Sequence, residues 1–328
     1  HRAATGGGSD TKEMKTGHQY KRGSALVAVF WIMSILSLAV FTAIQLLYYE
    51  VDLTTAKVQG NRARHLAEMG ISIAANPAIN RDDPLLRRGF KGGLEGFEAK
   101  IRSEGAKFNI NMLLADRGDG APPDKALLRE MLGSWGMELE EAQEVVDALV
   151  DWVDGDDFEE LNGAEAPYYE EFGMRNQPYN RPFFGLNEMR LVRGWDRVEA
   201  LNPNWQNWFT VWSAGGLDIN EAEPELIAMA AEITVIEATA IQDRVYGLDA
   251  IRDTEDDQPF SSSAEALDLL GLPDIQRAIV EPRLSVNDPT SRLESTGWSG
   301  DTRSRIILIL RNRTGRPAIL ERREEFVP

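Results

Sequence analysis

The chain has 328 residues, and its 53 acidic against 35 basic side chains give a formal net charge of −18. Such an acidic chain disfavours a broad nucleic-acid-binding surface, because the phosphate backbone is itself negative. It has no Cys and three His, and all three lie within the first 65 residues: His1, His18 and His65. Catalysis of the Ser-His-Asp or Cys-His type is therefore excluded in the rest of the chain, and no disulfide framework exists. We expect a protein that is not an enzyme.

An uncharged segment lies near the start of the sequence. Residues 24–47 contain no Asp, Glu, Lys, Arg or His, and as a helix they would extend about 36 Å, enough to cross a bilayer. A secretory signal has a shorter apolar stretch of about 7–15 residues and a small-residue cleavage site. None follows Leu47, where Tyr48 and Tyr49 suit the membrane interface instead. Basic residues precede the segment, which predicts a cytoplasmic N-terminus with the main body across the membrane.

The helix is predicted to continue over residues 48–76. Small and apolar residues recur in steps of three and four, which is typical of one helix face, at Leu53, Ala56, Gly60, Ala63, Ala67, Gly70 and Ala74. Small residues on such a face allow another element to approach closely. Asn76-Pro77 predicts the end of the helix, because a residue before proline avoids the helical region. A plain stalk between anchor and body is the alternative.

Strand patterns lie towards both ends of the body, and helical patterns lie between them. Alternating apolar residues predict two short strands at 97–101 and 108–110, joined by a Gly-containing turn. Residues 303–313 predict a strand by their β-branched content, with a partner at 317–321. Helices are predicted at 125–133, 138–154, 187–192, 223–231, 235–246 and 263–270. This order predicts an α+β fold in which a large all-α domain is inserted into a small antiparallel sheet.

The acidic run at 154–165 is a candidate metal site. Oxygen-bearing side chains fall near the steps of a calcium loop, with Asp154 and Asp156 first and Glu165 at step twelve. Phe158 at step five and Glu159 in place of the required glycine exclude an EF-hand. Hard oxygen ligands without Cys or His favour Ca²⁺. The alternative is a solvated loop in which Asp151 pairs with an arginine. Acid–base catalysis is disfavoured because the carboxylates crowd on one loop.

The start of the apolar segment resembles the class III signal of type IV pilins and pseudopilins. Lys21-Arg22-Gly23 stands directly before Ser24-Ala25-Leu26. The resemblance implies that prepilin peptidase cuts between Gly23 and Ser24 and leaves the anchor in place, so that residues 1–23 form the leader. A start at Met14 would give a short basic leader. Most pilins carry glutamate at the fifth mature position, and this chain has Ala28 there.

The central region resembles the type II secretion system protein K family of minor pseudopilins. The similarity covers roughly residues 21–310. Its motifs are Asp151-Trp152-Val153-Asp154-Gly155-Asp156, then Gly163-Ala164-Glu165 with Tyr168, then Asn180, Pro182-Phe183 and Asn187-Glu188-Met189. Two flanking segments, 108–111 and 217–220, are similar to the family's strands before and after the inserted domain. The lack of a carboxylate at Ala28 is also a feature of this family.

The resemblance implies a pilin-like fold and a domain order. We expect a leader at 1–23, a transmembrane half-helix at 24–47, a periplasmic half-helix at 48–76 and a first part of the sheet domain at 77–111. A SAM-like helical domain follows at 112–208, then a re-entry strand with a helix-hairpin-helix-like region at 209–282, then C-terminal strands at 283–328. The family's helical domain binds Ca²⁺ in its loops, which assigns Asp154, Asp156 and Glu165 as ligands.

The resemblance also implies a place and partners. The chain would lie in the bacterial inner membrane by a single pass, with its body in the periplasm. It would cap the tip of a pseudopilus and help start its assembly, together with I- and J-type minor pseudopilins and the major pseudopilin. A minor pilin of a type IV pilus is a related alternative.

A membrane-anchored DNA receptor of the competence type is an alternative from another class. Asn220-Glu221-Ala222 opens a segment that resembles a helix-hairpin-helix unit. The turn at 232–237 lacks the glycines whose amides would meet phosphate, and the segment carries a strong acidic excess. We therefore expect a structural pair of helices and no nucleic acid.

Overall fold

The structure is a computed structural model that describes residues 22–115, 123–252 and 254–327. It divides into two compact units, His1–Val58 and Gln59–Pro328. In the first unit every described residue belongs to helix α1 (Arg22–Ala74). The side chains of residues 25–58 are exposed. Among the described residues α1 is the one helix long and apolar enough to cross a membrane, with a mean hydropathy of 2.4 in its most apolar window. Most of the predicted leader, residues 1–21, lies outside the described residues.

The second unit contains a five-stranded antiparallel sheet. Its strands lie in the order β1-β2-β7-β8-β9. They comprise β1 (Arg87–Phe90), β2 (Glu95–Ser103), β7 (Thr290–Ser299), β8 (Thr302–Arg311) and β9 (Ala318–Val327). Strands far apart in sequence pair directly, since Phe97 of β2 lies opposite Gly297 of β7. The N- and C-terminal parts of the body therefore form one sheet.

The last turns of α1 pack on this sheet. Side chains alternate across a strand, so Phe97, Leu293 and Ile306 point to one face and join Ala67 and Ile71 of α1 in a common core. The predicted stripe of small residues is buried from Ala63 to Ala74, whereas Leu53 and Ala56 are exposed. For residues 60–74 the packed helix is confirmed and the plain stalk is wrong.

A helical region lies between β2 and β7 in the chain. Its elements are β3 (Phe108–Asn109), α2 (Ile110–Leu114), α3 (Lys125–Ser134), α4 (Leu139–Val153), α5 (Ala166–Glu171), α6 (Trp195–Leu201), β4 (Phe209–Thr210), β5 (Leu217–Asp218), α7 (Pro224–Ala231), α8 (Val235–Tyr246), α9 (Ser263–Leu270), α10 (Asp274–Val280) and β6 (Leu284–Ser285). A second core runs through this region from Phe108 to Leu284, with Trp152, Trp195 and Trp205 fully buried.

The predicted α+β fold, with its long N-terminal helix, antiparallel sheet and helical insertion, is confirmed. One detail is wrong: β3 does not form a hairpin with β2 but pairs in parallel with β4. β5, which lies in the predicted re-entry segment, pairs in parallel with β6. The helix predicted at 187–192 is a 3₁₀ helix, Leu186–Leu191. The domain boundaries given above stay predictions.

Candidate functional site

The acidic loop connects α4 to α5 and folds around two aspartates of α4. Asp151 and Asp147 lie one turn apart on the same helix face, below the loop. Asp151 accepts hydrogen bonds from the backbone amides of Glu160 at 3.1 Å and Ala164 at 2.7 Å. Asp147 accepts from the side-chain amide of Asn162 at 3.1 Å. The helix therefore fixes the path of the loop through its own carboxylates.

Asp151 is fully buried and has a role other than the predicted one. Among the described residues it pairs with backbone amides and with no arginine, so the arginine pairing considered above is wrong. Gly163 passes so close that an added Cβ would lie 1.8 Å from the Asp151 Oδ2. The glycine of the Gly163-Ala164-Glu165 motif is thus required by the approach of the loop to this carboxylate.

Several buried oxygen atoms of the loop and of the segment that follows α5 lack a hydrogen-bond donor. Both carboxylate oxygens of Glu165 and the Oδ1 atom of Asp154 are buried without a partner in the described structure. The Oε1 of Gln177 and the Oδ1 of Asn180 are in the same state. Asn180 belongs next to the loop, because its Nδ2 donates to the Asp156 carbonyl at 2.9 Å and to Asp157 Oδ1 at 3.2 Å. Buried polar atoms normally have partners, and oxygens of this kind are the ones that could hold a cation.

Three carboxyl groups at the loop have raised pKa values. Burial raises the pKa of Glu165 to about 7, and the nearby charges of Asp151 and Asp154 add to the shift. Burial also raises the pKa of Asp154, with the Asp156 charge next in importance. Burial raises the pKa of Asp151 to about 6 although two amides oppose the shift. The Lys125 ammonium pairs with Asp147 at 3.0 Å and with Glu160 at 2.7 Å, and its charge opposes the shift in the pKa of Asp154. A bound divalent cation would oppose the shifts at Glu165 and Asp151 as well.

The three predicted ligands differ in their surroundings. Glu165 and Asp154 lie close enough for their charges to interact. Asp156 is exposed, and its Oδ1 accepts the Phe158 amide at 2.9 Å. The described residues hold no group of three or more His, Cys, Asp or Glu side chains placed to bind a metal. A cation here would therefore need amide oxygens as well.

Sequence reasoning did not single out Gln177 and treated Asn180 only as a family motif. Both lie more than ten residues beyond Glu165, so no loop spacing links them to the site. The ring of Tyr179, between them, packs edge-on against Trp152 with the centroids 5.3 Å apart. This contact with the last turn of α4 holds the segment beside the acidic loop.

The remaining predicted features lie elsewhere. Gly23 and Ser24, at the predicted cleavage site, lie in the first turn of α1. In the helix-hairpin-helix-like region, Glu232 caps the C-terminus of α7 with a left-handed backbone, φ 53°. The Glu232 carboxylate pairs with Arg283 at 2.8 Å. An acidic residue thus stands where a phosphate-binding turn would need backbone amides, in agreement with a structural helix pair.

We expect the calcium-free chain to lose stability as the pH rises. Glu165 has its pKa raised from 4.5 to about 7, so between these values the folded chain holds more protons than the unfolded chain. Stability then falls with rising pH, and the melting temperature in chelator should drop by roughly 5 °C between about pH 5 and 7.5. Asp218, with its pKa raised to about 6 by burial, adds the same sign. Glu165→Gln should flatten the curve in differential scanning fluorimetry, and unchanged slopes would contradict the argument.

Comparisons with known proteins agree with this reading of the sequence. A family model described as type II secretion system protein K matches residues 106–204. A type II secretion system protein K of Klebsiella pneumoniae is 29% identical over 152 residues. That alignment covers 44% of this chain and 46% of the relative, about half of its length.

A solved structure shares the fold. The match is to GspK in the crystal structure of the GspK–GspI–GspJ complex from the type 2 secretion system of enterotoxigenic Escherichia coli, with a TM-score of 0.59. It covers 87% of this chain and 99% of that chain at 16% identity. Sequence and fold therefore agree, and the predicted resemblance to the type II secretion system protein K family is confirmed.

Proposed function

We propose that this chain is a minor pseudopilin that caps the tip of a type II secretion pseudopilus and helps to start its assembly. The observation that carries the proposal is the shared fold with a chain crystallised together with GspI and GspJ. We infer I- and J-type minor pseudopilins as its neighbours and the major pseudopilin below them. The role is structural, because pseudopilus assembly requires matching surfaces and no reacting group in this subunit.

The anchor gives the proposed location. The apolar part of α1 is exposed throughout and is long enough to span a bilayer. The basic residues on its N-terminal side favour a cytoplasmic N-terminus, which would place the body in the periplasm. We infer single-pass insertion in the bacterial inner membrane.

Position 28 supports a terminal position. A head-to-tail helical assembly stays open unless one subunit ends it. A carboxylate in hydrocarbon needs a partner, such as the N-terminal amine of an adjacent subunit. Ala28 removes that requirement, so this subunit can stand at the end of the stack. Immunogold labelling of pseudopili should find this chain at one end of each fibre, and labels along the shaft would contradict the tip position.

We also propose that Ca²⁺ binds the acidic loop and stabilises the helical region. Glu165, Asp154, Gln177 and Asn180 would supply the oxygens, because these are the buried atoms without donors. Asp156 would contribute from the exposed side. Oxygen ligands of this kind suit Ca²⁺, which accepts six to eight in a flexible arrangement. The ion would hold α5 and the 177–180 segment against the end of α4.

Prepilin peptidase should cut this chain between Gly23 and Ser24. The motivating feature is the Arg22-Gly23 pair directly before the apolar run. Mass spectrometry of the membrane-extracted chain should find Ser24, methylated, as the first residue. Gly23→Ala should block processing and leave the precursor in the membrane. A mature chain that begins after Leu47, or normal maturation of the variant, would overturn this assignment.

Ala28→Glu should weaken assembly. At the tip no neighbouring amine is available, so the new carboxylate stays unpaired in hydrocarbon at a cost of about 2–3 kcal/mol. We expect a lower membrane level or fewer pseudopili, measured by immunoblot and electron microscopy. Ala28→Leu is the matched control and should behave as the parent chain. If the Glu variant spreads along the fibre with full secretion, the tip position is wrong.

A further inference from the structure

A polar cleft of about 560 Å³ lies on the second unit, away from the acidic loop. Its lining comes from the outer face of β2 and β7 and from the segment that leads into α7. Leu226 contributes a small apolar surface to the lining. The volume falls in the range of ligand-binding sites, about 300–1,000 Å³.

The cleft is positive although the chain as a whole is strongly negative. Its three carboxylates belong to Glu221, Glu223 and Glu294, and its cations outnumber them, comprising Arg81, Lys100, Arg102, Lys107, Arg252 and Arg292. Two of the carboxylates are already neutralised. Glu221 pairs with Arg81 at 2.6 Å and with Arg252 at 2.9 Å, and Glu294 pairs with Arg292 at 2.6 Å.

Three cations of the cleft have no carboxylate at bonding distance in the described structure. Lys100 and Arg102 are exposed neighbours on the outer face of β2. The Lys107 Nζ donates to the Gln206 carbonyl at 3.2 Å. Burial lowers the pKa of Lys107; the Glu104 charge opposes this, and the positive charges of Arg292 and Arg102 lower it further. An anion beside the Lys107 ammonium would therefore favour its charged form.

We propose that this cleft binds a glutamate or aspartate side chain of a partner polypeptide, held between Lys107 and Arg102. A carboxylate there would accept charge-assisted hydrogen bonds from both cations. The resident Glu221, Glu223 and Glu294 disfavour a polyanion such as nucleic acid, and the apolar surface of Leu226 suits the methylene groups of a peptide side chain. The site depends neither on calcium nor on the position of this subunit in the pseudopilus.

Lysine acetylation of the full chain in detergent micelles tests the proposal. The probe is a capped pentapeptide of sequence Gly-Glu-Leu-Glu-Gly, and the control replaces both Glu by Gln. At ten times its Kd the Glu peptide should slow acetylation of Lys107 by about tenfold, because only the free fraction reacts. Lys91, which pairs with Glu95 outside the cleft, should react at its usual rate. Mass spectrometry of tryptic peptides gives both rates.

Matched variants separate binding from folding. Arg102→Gln should abolish the protection of Lys107, whereas Arg87→Gln, at an exposed arginine of β1, should preserve it. Both should melt like the parent chain. Equal protection by the Gln peptide, retained protection in Arg102→Gln, or no protection at all would overturn the proposal. Equal protection by free glutarate or by inorganic phosphate would overturn the assignment to a partner polypeptide.

Discussion

Calcium should raise the melting temperature of the full chain, and Glu165→Gln should remove most of that rise. A ligand bound only by the folded state stabilises it by about 2.7 kcal/mol at one hundred times its Kd. For a body of this size that corresponds to roughly 5–10 °C. The physical reason is local: Glu165 has two buried oxygens without donors and a pKa of about 7, so its ionised form lacks compensation until a cation binds.

The variants distinguish the ligands from the general acidity of the loop. Asn180→Ala should reduce the calcium shift although it removes no charge. Asp156→Ala should reduce it too, and the double change with Glu165→Ala should abolish it. Glu171→Gln, at an exposed carboxylate of α5, is the matched control and should leave the shift unchanged.

A comparison with magnesium tests whether the site prefers calcium. It should stabilise less, because it prefers tight octahedral geometry and keeps its own waters. Differential scanning calorimetry of the detergent-solubilised chain measures each case. A melt indifferent to millimolar calcium in the unmutated chain would return the loop to a solvated acidic surface.

The elements predicted well are those that a local pattern defines. Helices α8 and α9 begin and end where the sequence places them, because each combines an apolar periodicity with a capping residue. Thr234 forms a capping box with Glu237, and Ser262 caps α9 through the Glu265 amide. In such segments the signal lies within a few residues and needs no tertiary partner.

The elements predicted poorly depend on partners distant in sequence. Phe108 and Asn109 have the alternation of a strand, but their partner is β4, a hundred residues later. The central strand β7 carries Arg292, Glu294 and Thr296 on one face. On the other face Leu293 is followed only by small residues, so the strand lacks a continuous apolar pattern. Its place in the sheet follows from pairing with β2 and β8 on either side.

The residues of the candidate site divide in the same way, into those that a local pattern predicts and those that depend on the fold. Asp154, Asp156 and Glu165 share one loop and were predicted from their spacing. Asn180 reaches the loop only through the folded path of the chain, which the packing of Tyr179 on Trp152 stabilises. An acidic cluster can therefore be predicted from the sequence, whereas a neutral oxygen that lies beside it requires the structure.

Gly297→Ala should destabilise the second unit by about 3 kcal/mol or more, the upper range for an overpacked core. Gly297 lies in β7 directly beneath α1, and an added Cβ would lie 2.1 Å from the carbonyl oxygen of Ala63 and 2.4 Å from the amide nitrogen of Ala67. Both are backbone atoms of a helix, so no side-chain rotation relieves the contact. The helix would have to move away from the sheet and expose Phe97 and Leu293.

The clash with backbone makes the prediction specific. Ala63→Gly removes a side chain but not the carbonyl oxygen, so it should not rescue Gly297→Ala. Gly133→Ala is the matched control, because an added Cβ in α3 meets open space, and alanine favours the helix by up to about 1 kcal/mol. Thermal melts and the amount of chain retained in the membrane measure the effect. We expect Gly297→Ala to have a melting temperature well below that of the parent chain and Gly133→Ala to melt at or above it. Equal melting temperatures of the two variants would show that the contact of α1 with the sheet does not depend on Gly297.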